Sequence, residues 1–451
     1  MTQAARIVSW SELEEPARRE LLRRPAQINA VHVLARVREI VADVCERGDE
    51  ALREYALRFD GATLDELQVA EAEFAAAGAG LTSDEHAAID CAIDTVTRFH
   101  AAQALPAIAM EMVAGVRCER LVIPLDAVGL YVPAGTAPLP STAIMLAVPA
   151  QLAGCPVRIL CTPPRPDGRA DPAVLVAARR AGISQVFKIG GAQAIAAMAY
   201  GTATVPKVAK IFGPGNAWVT AAKQLVAADP DGAALDLPAG PSEVLVIADA
   251  SAVPEFVAAD LLAQAEHSDD AQVLLVTTSR PLAVSVSHEL EKQMVPLSRR
   301  AIIERAIASS RIVVVDDLAT AFAVSNRYAP EHLLIQVESP RNWLASVRNA
   351  GSVFLGRWTP ETLGDYCSGT NHVLPTYGHA RAYSGLAVSD FIKRITVQEL
   401  TPAGLSDLGL TARTLARLES LDAHAHAVQV RLDAIARDAM PVNAAAQGVG
   451  K

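Results

Sequence analysis

Glu331 and His332 stand side by side in NRYAPEHLLIQV, just after Pro330, where a helical pattern gives way to an apolar, strand-like run. A carboxylate beside an imidazole can divide acid and base duties, because an unperturbed imidazole titrates near pH 6.5. On a regular strand the two side chains would point to opposite faces, one buried and one solvated; the loop context after Pro330 weakens that alternative without removing it. Gln264 and His267, in LLAQAEHSDD, lie three residues apart at the end of a predicted helix and share a face. They can share a metal, or simply form a polar helix end with a histidine near the terminal carbonyls. Zinc needs more ligands than two, and Asp365 in GDYCSG and His424 in LDAHAHAV are the His/carboxylate candidates to complete a set, although spacing does not prove their convergence.

Two further features carry weaker signals. The strand-to-helix junctions IGGAQ and FGPGNAW are Gly-rich, so helix N-terminal N–H groups there can receive a phosphate. Glycine at a tight turn serves backbone geometry equally well, and the GxGxxG fingerprint is absent. Cys367, two residues from Asp365, is a conceivable nucleophile toward an aldehyde, but no base is fixed beside it and it reads as a packing thiol.

The elements that must position these residues alternate. A helical lead-in covers the first hundred residues, with Leu34, Val37, Ile40, Val41 and Val44 at helical spacing. From Arg117 to about Ala227, short β-rich runs (RILCT, QVFKIGG, KIFGPG) alternate with helices, which predicts βαβ units on a parallel sheet. The loop DPDGAALDLPAGP opens a second alternation through EVLVIADA, QVLLVTT, RIVVVDD, HLLIQV and SVFLG. After Asp365 the pattern is irregular, and the chain finishes with a helical arm and an Ala-rich tail.

The composition agrees with an α/β protein of at least two domains: 451 residues exceed one core, and aromatics are only 4% against 51% hydrophobic residues. A net charge of -10 without a basic run argues against nucleic acid or an anionic membrane as partner. Six scattered cysteines form no CxxC pair, which fits a reducing compartment. A polar, acidic start and the lack of a twenty-residue apolar stretch predict no signal peptide and no membrane span, hence the cytoplasm.

PAGTAPLPSTAIMLAVPAQLAGC, IGGAQAIAAMAYGT with KIFGPGNAWV, DLPAGPSEVLVIAD, DLLAQAEH, NRYAPEHL, GDYCSGTNHVLPT and SDFIKRITVQEL together resemble the histidinol dehydrogenases, in order and over nearly the whole chain. The resemblance implies two incomplete Rossmann-like parallel-sheet domains: 131–241 for NAD, and 27–130 with 242–386 for zinc and catalysis. These would be flanked by an N-terminal helical segment (1–26), a helical dimerisation arm (387–440) and a flexible tail (441–451). It implies one zinc per subunit on Gln264, His267, Asp365 and His424, NAD contacts from Tyr131, Gln193 and Asn216, and Glu331 with His332 as the acid/base pair. Substrate contacts fall on Ser242, His372 and Glu419, together with His332 and the four zinc residues; His426 has no matching role. It further implies a homodimer whose arm carries His424 to the neighbouring subunit, and oxidation of L-histidinol through L-histidinal to L-histidine with two NAD, the last steps of histidine biosynthesis. The residues alone leave open a paralogue acting on a related amino alcohol, a zinc-dependent hydrolase in which the same groups activate water, and a non-catalytic two-domain binder.

Overall fold

The computed structural model describes residues 6–24, 30–134, 137–238 and 240–438; the expected tail 441–451 lies outside them. In chain order the strands are β1 (Arg6–Ser9), β2 (Ile108–Val113), β3 (Val116–Pro124), β4 (Ala127–Tyr131), β5 (Val157–Thr162), β6 (Gln185–Lys188) and β7 (Lys210–Phe212). They continue as β8 (Ala234–Leu235), β9 (Glu243–Ala248), β10 (Gln272–Thr277), β11 (Arg311–Val314), β12 (His332–Gln336), β13 (Ser352–Leu355) and β14 (Ile392–Leu400).

By spatial grouping the chain forms two compact units, one of Met1–Ala104 with Pro124–Phe391 and one of Leu105–Ile123 with Ile392–Lys451. The first unit contains two parallel sheets, ordered β6-β5-β4-β7-β8 and β1-β11-β10-β9-β12-β13. Numbered within each sheet, the order reads 3-2-1-4-5 in both, with β1 added at the edge of the second. This is the doubly wound pattern without its sixth strand. Strands β9, β10 and β12 are buried along their full length, which is why EVLVIA, QVLLVT and HLLIQ are almost continuous apolar runs: helices cover both faces and no residue can alternate into solvent.

The structure adds three particulars to the expected outline. The lead-in is not wholly helical, because Arg6–Ser9 pairs with β11 as a parallel edge strand. The helices between 30 and 101 pack on the helices that cover the five-stranded sheet: Val37, Ile40, Val41 and Val44 share a core with Tyr131, Ile159 and Phe187, while Ile89 and Val96 join Val128 and Leu146. The helix Ser83–Ala101 also meets the 369–386 segment, sharing its core with Val373 and Leu386 while Asn371 Nδ2 lies 3.3 Å from His100 Nε2. The arm is not purely helical either. Strand β14 joins β3 and β2 in a three-stranded sheet, with β2 and β3 antiparallel, so 105–123 belongs with the C-terminal segment.

The terminal helical stretch is a hairpin of Pro402–Leu418 and Asp422–Asp438. It breaks where Ser420 adopts φ +60 and the Leu421 N–H donates to the Ala416 carbonyl at 2.8 Å, a left-handed stop normally made by glycine. Among the described residues, no helix is long and apolar enough to cross a membrane.

Candidate active site

The chemistry-bearing residues of the larger sheet gather at the amino ends of its strands, not at the carboxyl ends where open α/β sheets usually place ligands. Glu243 opens β9 and His332 opens β12, its parallel neighbour. Gln264 lies in the last turn of the helix Pro254–Ala265, His267 just beyond it, and Asp365 near the end of Glu361–Tyr366. In a parallel sheet those helix C-termini run back to the edge where the next strand begins, which brings them to Glu243 and His332.

Glu331 and His332 are both buried, and Glu331 Oε2 lies 3.7 Å from His332 Nδ1. The loop position decides this: Glu331 precedes the strand, after Ala329 in the left-handed conformation at φ +55, so the two side chains are not forced apart. The Glu243 main chain holds both, its N–H donating to Glu331 Oε2 at 2.8 Å and its carbonyl 3.2 Å from His332 Nδ1. Two more carboxylates surround the ring, Glu361 Oε1 at 3.8 Å from Nδ1 and Asp365 Oδ1 at 3.5 Å from Nε2. Burial by itself would depress the pKa of His332, yet Glu361, Glu331 and Asp365 together raise it to about 10. An imidazole near its ordinary pKa was expected; the surrounding carboxylates instead favour its protonated form. Desolvation raises Glu331 to about 8, against the attraction of His332.

Gln264 is fully buried, and turning its amide so that the nitrogen faces Glu361 lets that nitrogen donate to Glu361 and the oxygen accept from the Glu243 N–H at 3.0 Å. Ser242 Oγ lies 3.3 Å from His267 Nδ1. Burial lowers the pKa of His372, which feels the Asp365 charge, and its Nε2 has no hydrogen-bond partner. Nor does His332 Nε2, whose approach to Asp365 is an ionic contact without hydrogen-bond geometry. Asp365 is held below the usual carboxylate range: desolvation would raise it, but His332, His372 and His267 outweigh that.

The expected metal residues fit a cation in kind: Gln264, His267 and Asp365 offer an amide, an imidazole and a carboxylate, and the Asp365 carboxylate lies beside His332, whose Nε2 has no hydrogen-bond partner. The tightest group of ligating type among the described residues is, however, His332, Glu361 and Asp365, whose atoms lie within 4.8 Å of one another and of which only Asp365 belongs to the expected quartet. His424 and Glu419 belong to the second unit, both exposed, His424 in the first turn of Asp422–Asp438 and Glu419 capping the preceding helix.

The residues expected to contact NAD occupy the carboxyl edge of the five-stranded sheet, around its switch point between β4 and β7. Tyr131 ends β4, and its hydroxyl accepts from the Gly191 N–H at 3.0 Å. Gln193 is buried in the first turn of Gly191–Tyr200. Asn216 caps Ala217–Ala227 by accepting from Trp218 and Val219 N–H groups. Gly213 lies between β7 and this cap at φ +122, where a Cβ would strike the Tyr131 carbonyl oxygen, so the FGPGN glycine has a steric reason of its own.

Sequence reasoning missed Glu361 and Glu243. Glu361 stands four residues before Asp365, a spacing that puts both on one helix face, and Glu243 is a lone charge opening an apolar strand.

The histidinol dehydrogenase family model matches residues 22–432. Histidinol dehydrogenase of Xanthomonas axonopodis pv. citri (strain 306) is 56% identical over 427 residues, covering 95% of this chain and 99% of that protein. That of Pectobacterium atrosepticum is 50% identical over 433 residues, covering 96% and 97%. A crystal structure of histidinol dehydrogenase from Elizabethkingia anophelis superposes with a TM-score of 0.92 at 43% identity, covering 97% of this chain and all of that one. Sequence, fold order and site geometry converge, and the chain belongs to the histidinol dehydrogenase family.

Proposed function

We propose that this protein oxidises L-histidinol through L-histidinal to L-histidine, with NAD as hydride acceptor and zinc as resident metal. The observation that carries the chemistry is the buried contact between Glu331 and His332, 3.7 Å apart at the meeting point of two strand starts and two helix ends. Bound zinc would be held by Gln264, His267 and Asp365 with His424 and would anchor the substrate nitrogens, while bound NAD at the Tyr131, Gln193 and Asn216 edge would supply the hydride acceptor.

His332 is the group to take the alcohol proton as hydride departs, and Glu331 the group to activate the water that hydrates the aldehyde, since an aldehyde has no second hydride to give until water adds. For this His332 must first be neutral. Any cation that takes up the charge of Asp365 removes part of what holds the ring protonated and returns it toward the range of a base at neutral pH. Ser242 and His372 border the same cluster as substrate contacts, with Glu419 proposed to reach the substrate's amino group. Burial of the cluster keeps the aldehyde away from bulk water between the two steps.

The proposed assembly is a homodimer in which the second unit delivers Glu419 and His424 to the neighbouring subunit. Supporting this, the second unit leaves Met110, Met112, Leu410, Leu415, Leu418 and Val430 exposed, more apolar surface than a self-sufficient arm needs. A cytoplasmic setting agrees with the six free cysteines.

The test follows absorbance at 340 nm with limiting L-histidinol and excess NAD. About two NADH per substrate, lost on chelation and restored by zinc, is the expected result. One NADH would mean that oxidation stops at the aldehyde. None would favour a hydrolase or a paralogue with another substrate.

A further inference from the structure

Ala329 is one of three non-glycine residues with positive φ among the described residues, and the chain passes from it through Pro330 directly into Glu331 and His332. A left-handed alanine is held only where its surroundings over-determine it. Arg24, more than three hundred residues away in sequence, supplies that restraint. Its Nη2 donates to the carbonyls of Tyr328 at 2.8 Å and Ala329 at 3.3 Å, and its guanidinium carbon lies 4.0 Å from the centre of the Tyr328 ring.

The same guanidinium pairs with Glu243 through both forks, Nη2 to Oε2 at 2.9 Å and Nε to Oε1. Glu243 Oε1 also accepts the Tyr377 N–H at 2.8 Å. Its main chain, in turn, contacts the side chains of both Glu331 and His332. Arg24 thus touches the turn that delivers the two residues and the residue whose backbone grips them.

Burial of this ion pair is not by itself a reason for its presence, since well-packed apolar residues often serve stability as well. What an apolar pair lacks is the planar fork, which fixes two carboxylate oxygens and two carbonyls in one geometry. We propose that Arg24 and Glu243 are a positioning pair that sets the Glu331–His332 contact. This rests on the reading of Glu331 and His332 as the acid/base pair.

The test compares Arg24→Lys, which keeps charge and most of the volume but loses the fork, with Arg24→Ala assayed with and without low, non-denaturing guanidinium. Expected is a fall in kcat on L-histidinol of about tenfold to a hundredfold in Arg24→Lys, KM staying within about twofold, and partial recovery of Arg24→Ala kcat on adding guanidinium. Thermal unfolding is followed in parallel. Wild-type kcat in folded Arg24→Lys overturns the proposal, as does an activity loss that only tracks the unfolded fraction with no response to guanidinium. Glu331→Gln and His332→Asn are assayed alongside. If they keep wild-type kcat, the acid/base reading has failed and the positioning role falls with it; if they lose it while Arg24→Lys does not, the positioning role alone is overturned.

Discussion

Glu331 Oε2 and His332 Nδ1 approach to 3.7 Å although the residues are consecutive, because the first ends a loop and the second begins a strand. The Glu243 backbone, on the parallel neighbour strand, contacts both. The arrangement gives one buried proton-exchanging unit ringed by Glu361 and Asp365, and its chemistry depends on how much of that negative charge a bound cation takes up.

Glu331→Gln and His332→Asn should therefore fail differently. Loss of the imidazole removes the base for the alcohol step, and a fall of about a hundredfold to ten-thousandfold in kcat on L-histidinol is expected. Glu331→Gln should slow oxidation of supplied histidinal most, because hydration is the step it serves. Steady-state rates on both substrates separate the roles, and wild-type turnover of histidinal by Glu331→Gln would remove the water-activating assignment.

His267→Ala and Asp365→Ala should each abolish zinc retention. Asp365 is the one residue common to the tight cluster with His332 and Glu361 and to the expected quartet, so its loss should also remove a charge beside His332. Metal content after gel filtration decides; a fully metallated, active Asp365→Ala protein is incompatible with the ligand set.

The sheets were legible because buried parallel strands need apolar runs, and β9, β10, β11 and β12 have them. Strand β1 was not: RIVS is four residues long, and only its pairing with β11 gives it strand form. The break at Ser420 carries no glycine to announce it. Within the site, Glu331 and His332 stood out by adjacency and Gln264 and His267 by helical spacing, both local signals. Arg24 and Glu243 lie 219 residues apart, and nothing local marks their pairing. The edge that Glu331 and His332 occupy follows from the same pattern, since a helix-to-strand junction lies at the amino end of a strand, where the carboxyl-edge rule does not apply.

Gly213→Ala tests the five-stranded sheet's switch point. An added Cβ at φ +122 would meet the Tyr131 carbonyl and Leu146, and would disturb the Gly213 N–H bond to Asp236 (2.8 Å) and the Lys223 bond to the Gly213 carbonyl (2.9 Å). A loss of about 2–4 kcal/mol in urea unfolding is expected, with a higher KM for NAD and unchanged zinc content. An unchanged urea midpoint together with an unchanged NAD KM would show that the turn tolerates the methyl and does not shape the cofactor edge.

Asp260 supplies a stability-linked titration outside the acid/base pair. Burial raises its pKa to about 7, against the Glu361 N–H and the Gln336 amide, which donates to it at 2.7 Å. An unfolded aspartate titrates near 3.9, so between about pH 4 and 7 the folded state binds the extra proton. The contribution to stability is thus fully present below about pH 4 and is lost as pH rises through about 7. Asp260→Asn removes the buried charge and keeps the shape, and Gln336, whose Oε1 is buried without a partner, can turn its amide to accept from the new NH₂. The variant should accordingly gain stability relative to wild type on going from pH 5 to pH 8, by roughly 1–3 kcal/mol at about 1.4 kcal/mol per unit of pKa difference. Urea unfolding of both proteins at the two pH values measures this directly. An equal difference at pH 5 and pH 8 would mean that Asp260 does not hold its proton in the folded protein, and that its carboxylate is accommodated ionised beside Gln336.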